Sequence, residues 1–336
     1  MHYNKLNKEQ LIHKIETETF NRITISFYKY VSIDNPENLR DELFIKWNEL
    51  LCLGRIYIAE EGINAQMSIP EYNIDTFKNL LNSYKEFKDI PFKIGVEQSQ
   101  SSFYKLQIKV RKQIVADNLD KGEYDVTNVG KHLNAKEWND AMDKGATIVD
   151  MRNFYESEIG HFKNAILPDA ETFSEELPMV LNQLKGKEDE KVLLYCTGGV
   201  RCEKTSAYLR NFGFKDVNQL HGGIIDYAKQ IKEQNLPNKF IGKNFVFDNR
   251  LAEKITDDVI SKCHQCGDAC NTHINCSNVR CNILLIQCPK CAKKYSDACS
   301  EKCMEYVLAD AQKKAELDKL HNYRPIKRYF KSTSKI

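Results

Sequence analysis

The spacing of hydrophobic residues divides the first third of the chain into strands and helices. Residues 23–30 are rich in β-branched and aromatic side chains, which is typical of a strand. Residues 38–51 place leucines and a tryptophan on one helical face, and residues 72–87 repeat this amphipathic spacing. Further strand-like runs cover residues 55–59, 65–69 and 92–96. The order β-α-β-β-α-β predicts a ferredoxin-like α+β sandwich within residues 1–116.

The last strand of this unit, residues 103–111, alternates apolar and cationic side chains. Lys105, Lys109 and Arg111 share one face, with Phe103 at its head. An ordinary half-buried strand shows such lysines to water. A flat cationic face with an aromatic residue also suits single-stranded nucleic acid, in which bases stack and phosphates pair with cations. Both interpretations stay open, and the three cations are candidate RNA contacts.

A different pattern surrounds Cys196. The apolar run 192–195 predicts a buried strand, and the cysteine then opens a loop that contains Gly198 and Gly199 and leads into a helical pattern. This places a thiol below free backbone N–H groups and the positive end of a helix, with Arg201 nearby, and each of these features stabilises a sulfur anion. A buried core cysteine is the plain alternative. The glycines and the arginine favour chemistry.

The flanking residues identify the kind of loop. Asp150 and Arg152 follow a short strand, Glu156 and a Gly-His pair come next, and Leu-His-Gly-Gly at residues 220–223 follows the loop. This pattern resembles the signature of rhodanese domains, whose short loop carries a persulfide, whereas thiol phosphatases have a longer loop. We therefore predict a rhodanese-like, doubly wound parallel sheet over residues 142–236, with Cys196 at the carboxyl end of a strand. Asp150 and Arg152 are expected to brace the loop.

Residues 117–141 are predicted to form a linker and an entry helix. Residues 117–130 contain Asp, Asn and Gly with little periodicity, which is typical of a linker. Asn134 and Glu137 have the spacing of a capping box that would start the helix.

Length, charge and cysteine content limit the number of domains, the partners and the cellular compartment that we expect. The 336 residues suffice for two or three domains, and a formal charge of +2 gives no overall excess that would indicate nucleic acid. The first ten residues are polar, unlike a signal peptide, and no run is long enough to span a bilayer. Twelve cysteines in such a chain favour metal ligands or reactive thiols in a reducing compartment. We expect a cytoplasmic protein without a membrane partner.

Residues 237–304 are predicted to form a Cys-rich module. Nine cysteines lie within 41 residues, at positions Cys263, Cys266, Cys270, Cys276, Cys281, Cys288, Cys291, Cys299 and Cys303. The two C-x2-C pairs, Cys263 with Cys266 and Cys288 with Cys291, have the spacing of tetrahedral metal ligands and are expected to share a site. Zinc is favoured over free thiols or an iron–sulfur cluster. The pairing of the other cysteines, and a role for His264 or His273, stay open.

Residues 305–336 are predicted to form a basic tail. Arg324, Lys327 and Arg328 are interleaved with aromatic residues, and the last sixteen residues carry no acidic side chain. Solvated disorder is the usual state of such a tail. Cations beside aromatic rings also suit contact with RNA, which makes these three residues candidates.

Several long motifs carry a resemblance to one family. They are A-E-E-G-I-N-A-Q at residues 59–66, K-V-R-K-Q-I-V-A-D at 109–117, D-M-R-N at 150–153, C-T-G-G-V-R-C-E-K at 196–204, F-I-G-K-N-F-V-F-D at 240–248 and C-H-Q-C-G at 263–267. These segments resemble those of the bacterial tRNA uridine(34) hydroxylases, and the likeness extends to about residue 303. The tail lies beyond it.

The resemblance implies an activity and a partner. Members of this family hydroxylate C5 of the wobble uridine in the tRNA anticodon with molecular oxygen, and Cys196 matches the family's active-site cysteine. The expected partner is the anticodon arm, and Cys202 is a candidate for resolving an oxidised Cys196. The sequence does not indicate the electron donor. A rhodanese-type sulfurtransferase that carries a persulfide on Cys196 is the alternative.

Overall fold

A computed structural model of the chain describes residues 6–119, 122–324 and 329–330. Within these ranges the chain forms three consecutive units, each built around its own buried core. The helices in the same ranges are too short or too polar for any of them to cross a membrane.

The N-terminal unit is a five-stranded sheet with helices on one face. Its elements are α1 (Lys8–Glu16), β1 (Arg22–Tyr30), α2 (Pro36–Glu49), β2 (Leu53–Ala59), β3 (Gly62–Pro70), α3 (Ile74–Asn82), β4 (Lys93–Ile94) and β5 (Leu106–Val110). The strand order is β4-β1-β3-β2-β5, and β5 runs parallel to β2 at the edge. The first four strands confirm the ferredoxin-like prediction. The predicted helix 72–87 is shorter, because 3-10 turns flank α3, and the predicted strand 92–96 keeps only two residues.

The two faces of this sheet differ because side chains alternate along each strand. One face packs on α2 and α3 around Trp47 and Phe77, which are fully buried. The other face is polar and carries two cross-strand rows of side chains. The rows are Ser26–Gln66–Arg55–Gln107 and Tyr28–Asn64–Tyr57–Lys109. This polar face turns towards the middle unit.

The middle unit is a parallel sheet covered on both faces. Its elements are β6 (Lys131–Leu133), α4 (Ala135–Asp143), β7 (Thr147–Asp150), α5 (Phe154–Ser157), β8 (Gly160–Phe162), α6 (Phe173–Gln183), β9 (Lys191–Tyr195), α7 (Val200–Asn211), β10 (Asp216–Leu220) and α8 (Gly223–Gln234). The strands β6-β10-β9-β7 are parallel. Along β9, Leu193 and Tyr195 pack with residues of α4 and α8, whereas Leu194 and Cys196 pack with α6 and α7. The doubly wound prediction is confirmed.

Strand β6 and helix α4 belong to the middle unit, so this unit begins before residue 142, where we placed its start. The described residues between Val110 and Lys131 form neither helix nor strand. Asn134 and Glu137 make the expected capping box at the start of α4, with each side chain accepting the other residue's backbone N–H.

The C-terminal unit is small and begins as an extension of the middle unit. Its elements are β11 (Phe240–Phe245), β12 (Ala252–Lys254), β13 (His273–Asn275), β14 (Leu284–Ile286), α9 (Pro289–Tyr295), α10 (Glu301–Leu308) and α11 (Ala311–Leu320). Strand β11 pairs antiparallel with β8. Residues 305–320, which we assigned to the tail, are largely helical, and Leu317 and Tyr323 are buried against the module.

Candidate functional site

Cys196 lies where the sequence places it, at the carboxyl end of β9 and before α7. The backbone N–H of Gly199 donates a hydrogen bond to the Cys196 sulfur at 3.1 Å. Gly199 has a φ of +98°, and a Cβ at this position would lie 2.9 Å from the Tyr28 hydroxyl. Only glycine therefore fits this turn without strain. The loop presents the sulfur to the first backbone amides of a helix.

These surroundings make Cys196 an acidic thiol. Burial opposes ionisation, but the S–H of Cys202, the Arg201 guanidinium and the N–H groups of Arg201 and Gly199 outweigh it and lower the Cys196 pKa to about 6. Burial and the Cys196 charge raise the pKa of Cys202 well above its usual value. These shifts favour a Cys196 thiolate beside a protonated Cys202 thiol at neutral pH. The sequence could not decide whether Cys202 lies at the site, and the structure places it there.

Arg201 is held by a partner that we did not select as a site residue. Its Nη1 and Nη2 donate to the Glu156 carboxylate at 2.6 and 2.9 Å, and the Glu156 side chain is fully buried. This two-point pairing fixes the plane of the guanidinium beside the sulfur. Glu156 belonged to the rhodanese-like pattern, so its position in that pattern was the available signal.

Asp150 and Arg152 support the strand that carries Cys196. Both are completely buried, and Arg152 donates to both Asp150 oxygens at 2.9 and 2.7 Å. The Tyr195 hydroxyl donates to the same carboxylate at 2.7 Å, and Arg152 also donates to the Gly160 carbonyl at 2.6 Å. The pair thus anchors the residue that precedes Cys196.

A cavity of about 340 Å³ opens in front of the sulfur, between the polar sheet face and the loop. The sheet contributes Tyr28, Asn64 and Gln66, and Phe247 from the C-terminal unit closes a third side. Lys93 also lines the cavity, with its Nζ 4.5 Å from the centre of the Tyr28 ring. Burial lowers the pKa of Lys93, although nearby acidic groups oppose this. Nothing in the sequence singled out Lys93.

One buried lysine fixes the two units that form the cavity. Lys204 on α7 lies 3.0 Å from the Glu61 carboxylate and 3.1 Å from that of Asp117, and it donates to the Val115 carbonyl at 3.0 Å. Glu61 also accepts the backbone N–H of Ile114 at 2.7 Å. Three motifs that are distant in the sequence therefore meet at one ion-pair network, which sets the polar sheet face against the Cys196 loop.

The candidate RNA contacts lie in two places. Lys105, Lys109 and Arg111 are exposed, and Lys109 shares a cross-strand row with Tyr57, which lines the cavity. Arg324 is exposed and lines a second cavity of about 780 Å³. Lys327 and Arg328 lie outside the described residues.

The expected position of Phe103 on the cationic face is wrong. Its side chain is buried, with 7% of its surface exposed. Regular pairing of β5 begins only at Leu106, so the strand alternation does not extend back to this residue. The cationic face therefore has no aromatic residue of its own strand at its head.

The cysteines of the C-terminal unit gather into two clusters. Each cluster brings four sulfur atoms within 4.8 Å of one another; the members are Cys263, Cys266, Cys288 and Cys291 in the first, and Cys276, Cys281, Cys299 and Cys303 in the second. The sulfurs of one pair in each cluster are 3.6 and 3.8 Å apart. A tetrahedral ion with arms of about 2.3 Å separates its ligands by about 3.8 Å, so each cluster could hold a metal ion.

The remaining candidates of this unit lie outside the clusters. Cys270 is buried but belongs to neither group of four. His264 pairs with Glu158 at 3.0 Å, and burial lowers the pKa of His273 to about 3. Eight thiols therefore form the two sets, without a histidine in either.

Together, the fold and the site define a rhodanese-type protein in which an acidic thiol faces a cavity shared with an acylphosphatase-like unit. Family profiles agree: residues 22–114 match the UPF0176 acylphosphatase like domain, residues 134–230 the Rhodanese-like domain and residues 241–304 the Rhodanase C-terminal domain.

Whole-chain comparison names the family. A protein of Leptospira interrogans called tRNA uridine(34) hydroxylase is 54% identical over 318 residues, covering 94% of this chain and 87% of the relative. Proteins of that name from Pectobacterium carotovorum and Photorhabdus laumondii are 48% and 47% identical, covering 90% and 91% of this chain and 86% and 87% of those relatives. The chain belongs to the tRNA uridine(34) hydroxylase family.

Proposed function

We propose that this protein hydroxylates the wobble uridine of tRNA, at position 34, and forms 5-hydroxyuridine with molecular oxygen as co-substrate. The observation that carries the proposal is the identity of about half of its residues with proteins named for that activity. One oxygen atom would be added to C5 and the other would leave as water, which requires two electrons and two protons from a reductant.

Cys196 is the residue to which we assign the reactive role, with Arg201 as the cation beside it. A thiol with a pKa of about 6 is mainly ionised at neutral pH and is therefore nucleophilic. In one route the thiolate adds to C6 of the uracil and makes C5 electron-rich towards an oxidant. In the other route a Cys196 persulfide or sulfenate relays redox equivalents and Cys202 resolves it. Cys202 packs in the same buried cluster as Cys196 and contributes to its low pKa, which supports the second route.

The cleft in front of Cys196 suits a base that leaves a single-stranded loop. A wobble base lies in an open loop, so turning it outward costs less than removing a base from a duplex. The Cys196 cavity and the second cavity share Arg55, Phe247 and Asp248 in their walls, so the two cavities adjoin. We place the anticodon arm across this cleft, with its phosphates near Lys109 on one side and Arg324 on the other.

We assign a structural zinc ion to each thiolate cluster. Four thiolates fill a tetrahedral ion, which leaves no position for oxygen or substrate and gives a closed structural site. A small unit gains stability from such a metal. Zinc at these clusters would therefore stabilise the fold of the module that closes one side of the cleft.

We place the protein in the cytoplasm. tRNA is its proposed substrate, and none of the twelve cysteines forms a disulfide bond, which agrees with a reducing compartment.

A sulfurtransferase that carries a persulfide on Cys196 is the second candidate, favoured by the loop itself. The two functions differ in their product, so nucleoside mass spectrometry separates them. We would analyse tRNA from cells that lack the protein and are complemented with wild type, Cys196→Ser or Cys52→Ser, and grown under ¹⁸O₂. Cys52 is a buried thiol of the first unit, which makes its variant a matched control.

The hydroxylase assignment predicts labelled 5-hydroxyuridine in cells with wild type or Cys52→Ser and none with Cys196→Ser. A thiolated nucleoside without any change in uridine oxidation would establish the sulfurtransferase instead. Unchanged product with Cys196→Ser would contradict the role of Cys196 while leaving the reaction intact.

A further inference from the structure

We propose that Gln66, oriented by Asn64, recognises the Watson–Crick edge of the target uracil in the Cys196 cavity. The inference rests on the proposed function, because it concerns the base that this cavity accepts. It assigns the choice of uracil over cytosine to one amide on the polar sheet face.

The orientation of this amide follows from an acceptor that cannot change. The Asn64 Nδ2 donates to the backbone carbonyl of Ile114 at 3.3 Å, and a carbonyl oxygen can only accept. The Asn64 Oδ1 therefore faces Gln66 and accepts a hydrogen bond from Gln66 Nε2 at 2.8 Å. One N–H of Gln66 is committed to Asn64, and among the described residues this is the only side-chain bond recorded for Gln66. Its oxygen and second N–H remain for a ligand.

The position of the amide suits a base held against Cys196. Gln66 is half-buried and lines the same cavity as the sulfur. In the sheet, Asn64 pairs with Tyr28, the residue whose hydroxyl approaches Gly199 of the active loop. Gln66 lies one cross-strand row further out. A base between the sheet and the loop would therefore meet the sulfur on one side and this amide on another.

The amide and uracil are complementary in their hydrogen-bonding groups. Uracil offers an N3–H donor beside carbonyl acceptors, and the Gln66 oxygen and N–H can pair with N3–H and with one neighbouring carbonyl. Cytosine in the same pose would place a bare N3 acceptor against the Gln66 oxygen. Because Asn64 prevents the amide from turning over, this clash cannot be relieved by exchanging oxygen and nitrogen. A site built for one hydrogen-bonding pattern discriminates strongly against the other.

The test uses anticodon stem-loops that differ only at position 34. We would measure their affinity by fluorescence anisotropy without oxygen, so that no turnover occurs, for uridine, N3-methyluridine and cytidine. Wild type should bind the uridine form about 10–100-fold more tightly than the other two, the range that a two-point base contact gives. Gln66→Ala should reduce this preference to a few-fold. Asn64→Ala should reduce the discrimination against cytidine, because the amide can then turn over.

Gln107→Ala is the matched control. Gln107 occupies the same cross-strand row as Gln66, but it lies on the edge strand and is not among the residues that line the cavity. This variant should keep the preference of wild type. Labelling of Cys196 by iodoacetamide at pH 6, at which an ordinary thiol stays protonated, should be equal in all variants, and slower labelling would identify a variant whose loop is misfolded.

Two results would overturn the inference. Wild type could bind uridine and N3-methyluridine equally, or Gln66→Ala could retain the full preference. The proposed function fails in a different way: aerobic wild type would form no 5-hydroxyuridine, even while it prefers uridine in the binding assay.

Discussion

The acidity of Cys196 can be measured directly, and substitutions of Cys202 show how much that residue contributes to it. A thiol with a pKa of about 6 is about nine-tenths ionised at pH 7, whereas one at 9.0 is about one-hundredth ionised, a difference of about 90-fold. A lower pKa also weakens the thiolate as a nucleophile, and for a pKa lowered from 9.0 to about 6 this loss is about 20-fold. The net advantage at pH 7 is therefore only about fourfold. The pH at which Cys196 reaches half of its maximal reactivity therefore reports its pKa more clearly than the reaction rate at pH 7 does.

Brief exposure to iodoacetamide between pH 4.5 and 9, followed by peptide mass spectrometry, gives this midpoint for each cysteine. Cys196 should be half-reactive near pH 6. Burial raises the pKa of Cys52 to about 12, so its peptide should stay unlabelled and serve as an internal control. A Cys196 midpoint between 8 and 9 would refute the account of the loop.

Two substitutions of Cys202 separate the causes of the low pKa. A hydrogen bond to an ionised group contributes about 1.5–3 kcal/mol and about 1.4 kcal/mol shifts a pKa by one, so Cys202→Ala should move the midpoint from about 6 to between about 7 and 8. Cys202→Ser keeps a donor and should move it less. An unchanged midpoint in Cys202→Ala would show that the helix amides and Arg201 suffice.

The other predictions concern stability and metal content. Lys204→Met would leave the Glu61 and Asp117 carboxylates without their cation, and it should lower the free energy of unfolding by about 3–5 kcal/mol in a urea titration. Lys136→Met removes an exposed ion pair with Asp140 on one helix and should leave this free energy almost unchanged. Burial raises the pKa of Asp117, but the Leu119 N–H and Lys204 outweigh it, so the pKa is lowered. The carboxylate therefore stabilises the fold above about pH 4, and this stabilisation is lost as the pH falls further. Asp117→Asn should make the free energy of unfolding fall less steeply at acid pH. Cys276→Ser should lower the metal content, measured by inductively coupled plasma mass spectrometry, from two ions to one per chain, and Cys270→Ser should leave it at two. Equal metal content in both variants would contradict the assigned ligands.

Local patterns determined the elements and their order. The strand, glycine loop and helix around Cys196 are consecutive in the chain, so hydrophobic spacing and two glycines sufficed to predict them. The same holds for the capping box at Asn134 and for the alternation that leaves Lys105, Lys109 and Arg111 exposed along the last strand of the first unit. The C-x2-C spacing likewise indicated which four thiols form the first cluster. In each case the physical signal lies within a few residues of the feature.

Only the tertiary structure shows which side chains surround the Cys196 sulfur and which ones line the cavity in front of it. Glu156 reaches Arg201 across 45 positions, and Lys204 meets Glu61 and Asp117 from two other motifs. Cys202 adjoins Cys196 because the loop turns into α7, and only the sheet register places Gln66 in the same cavity. Such contacts depend on how whole units pack. They leave no periodic trace in the sequence, because each partner is an ordinary polar residue until the fold buries it beside the other.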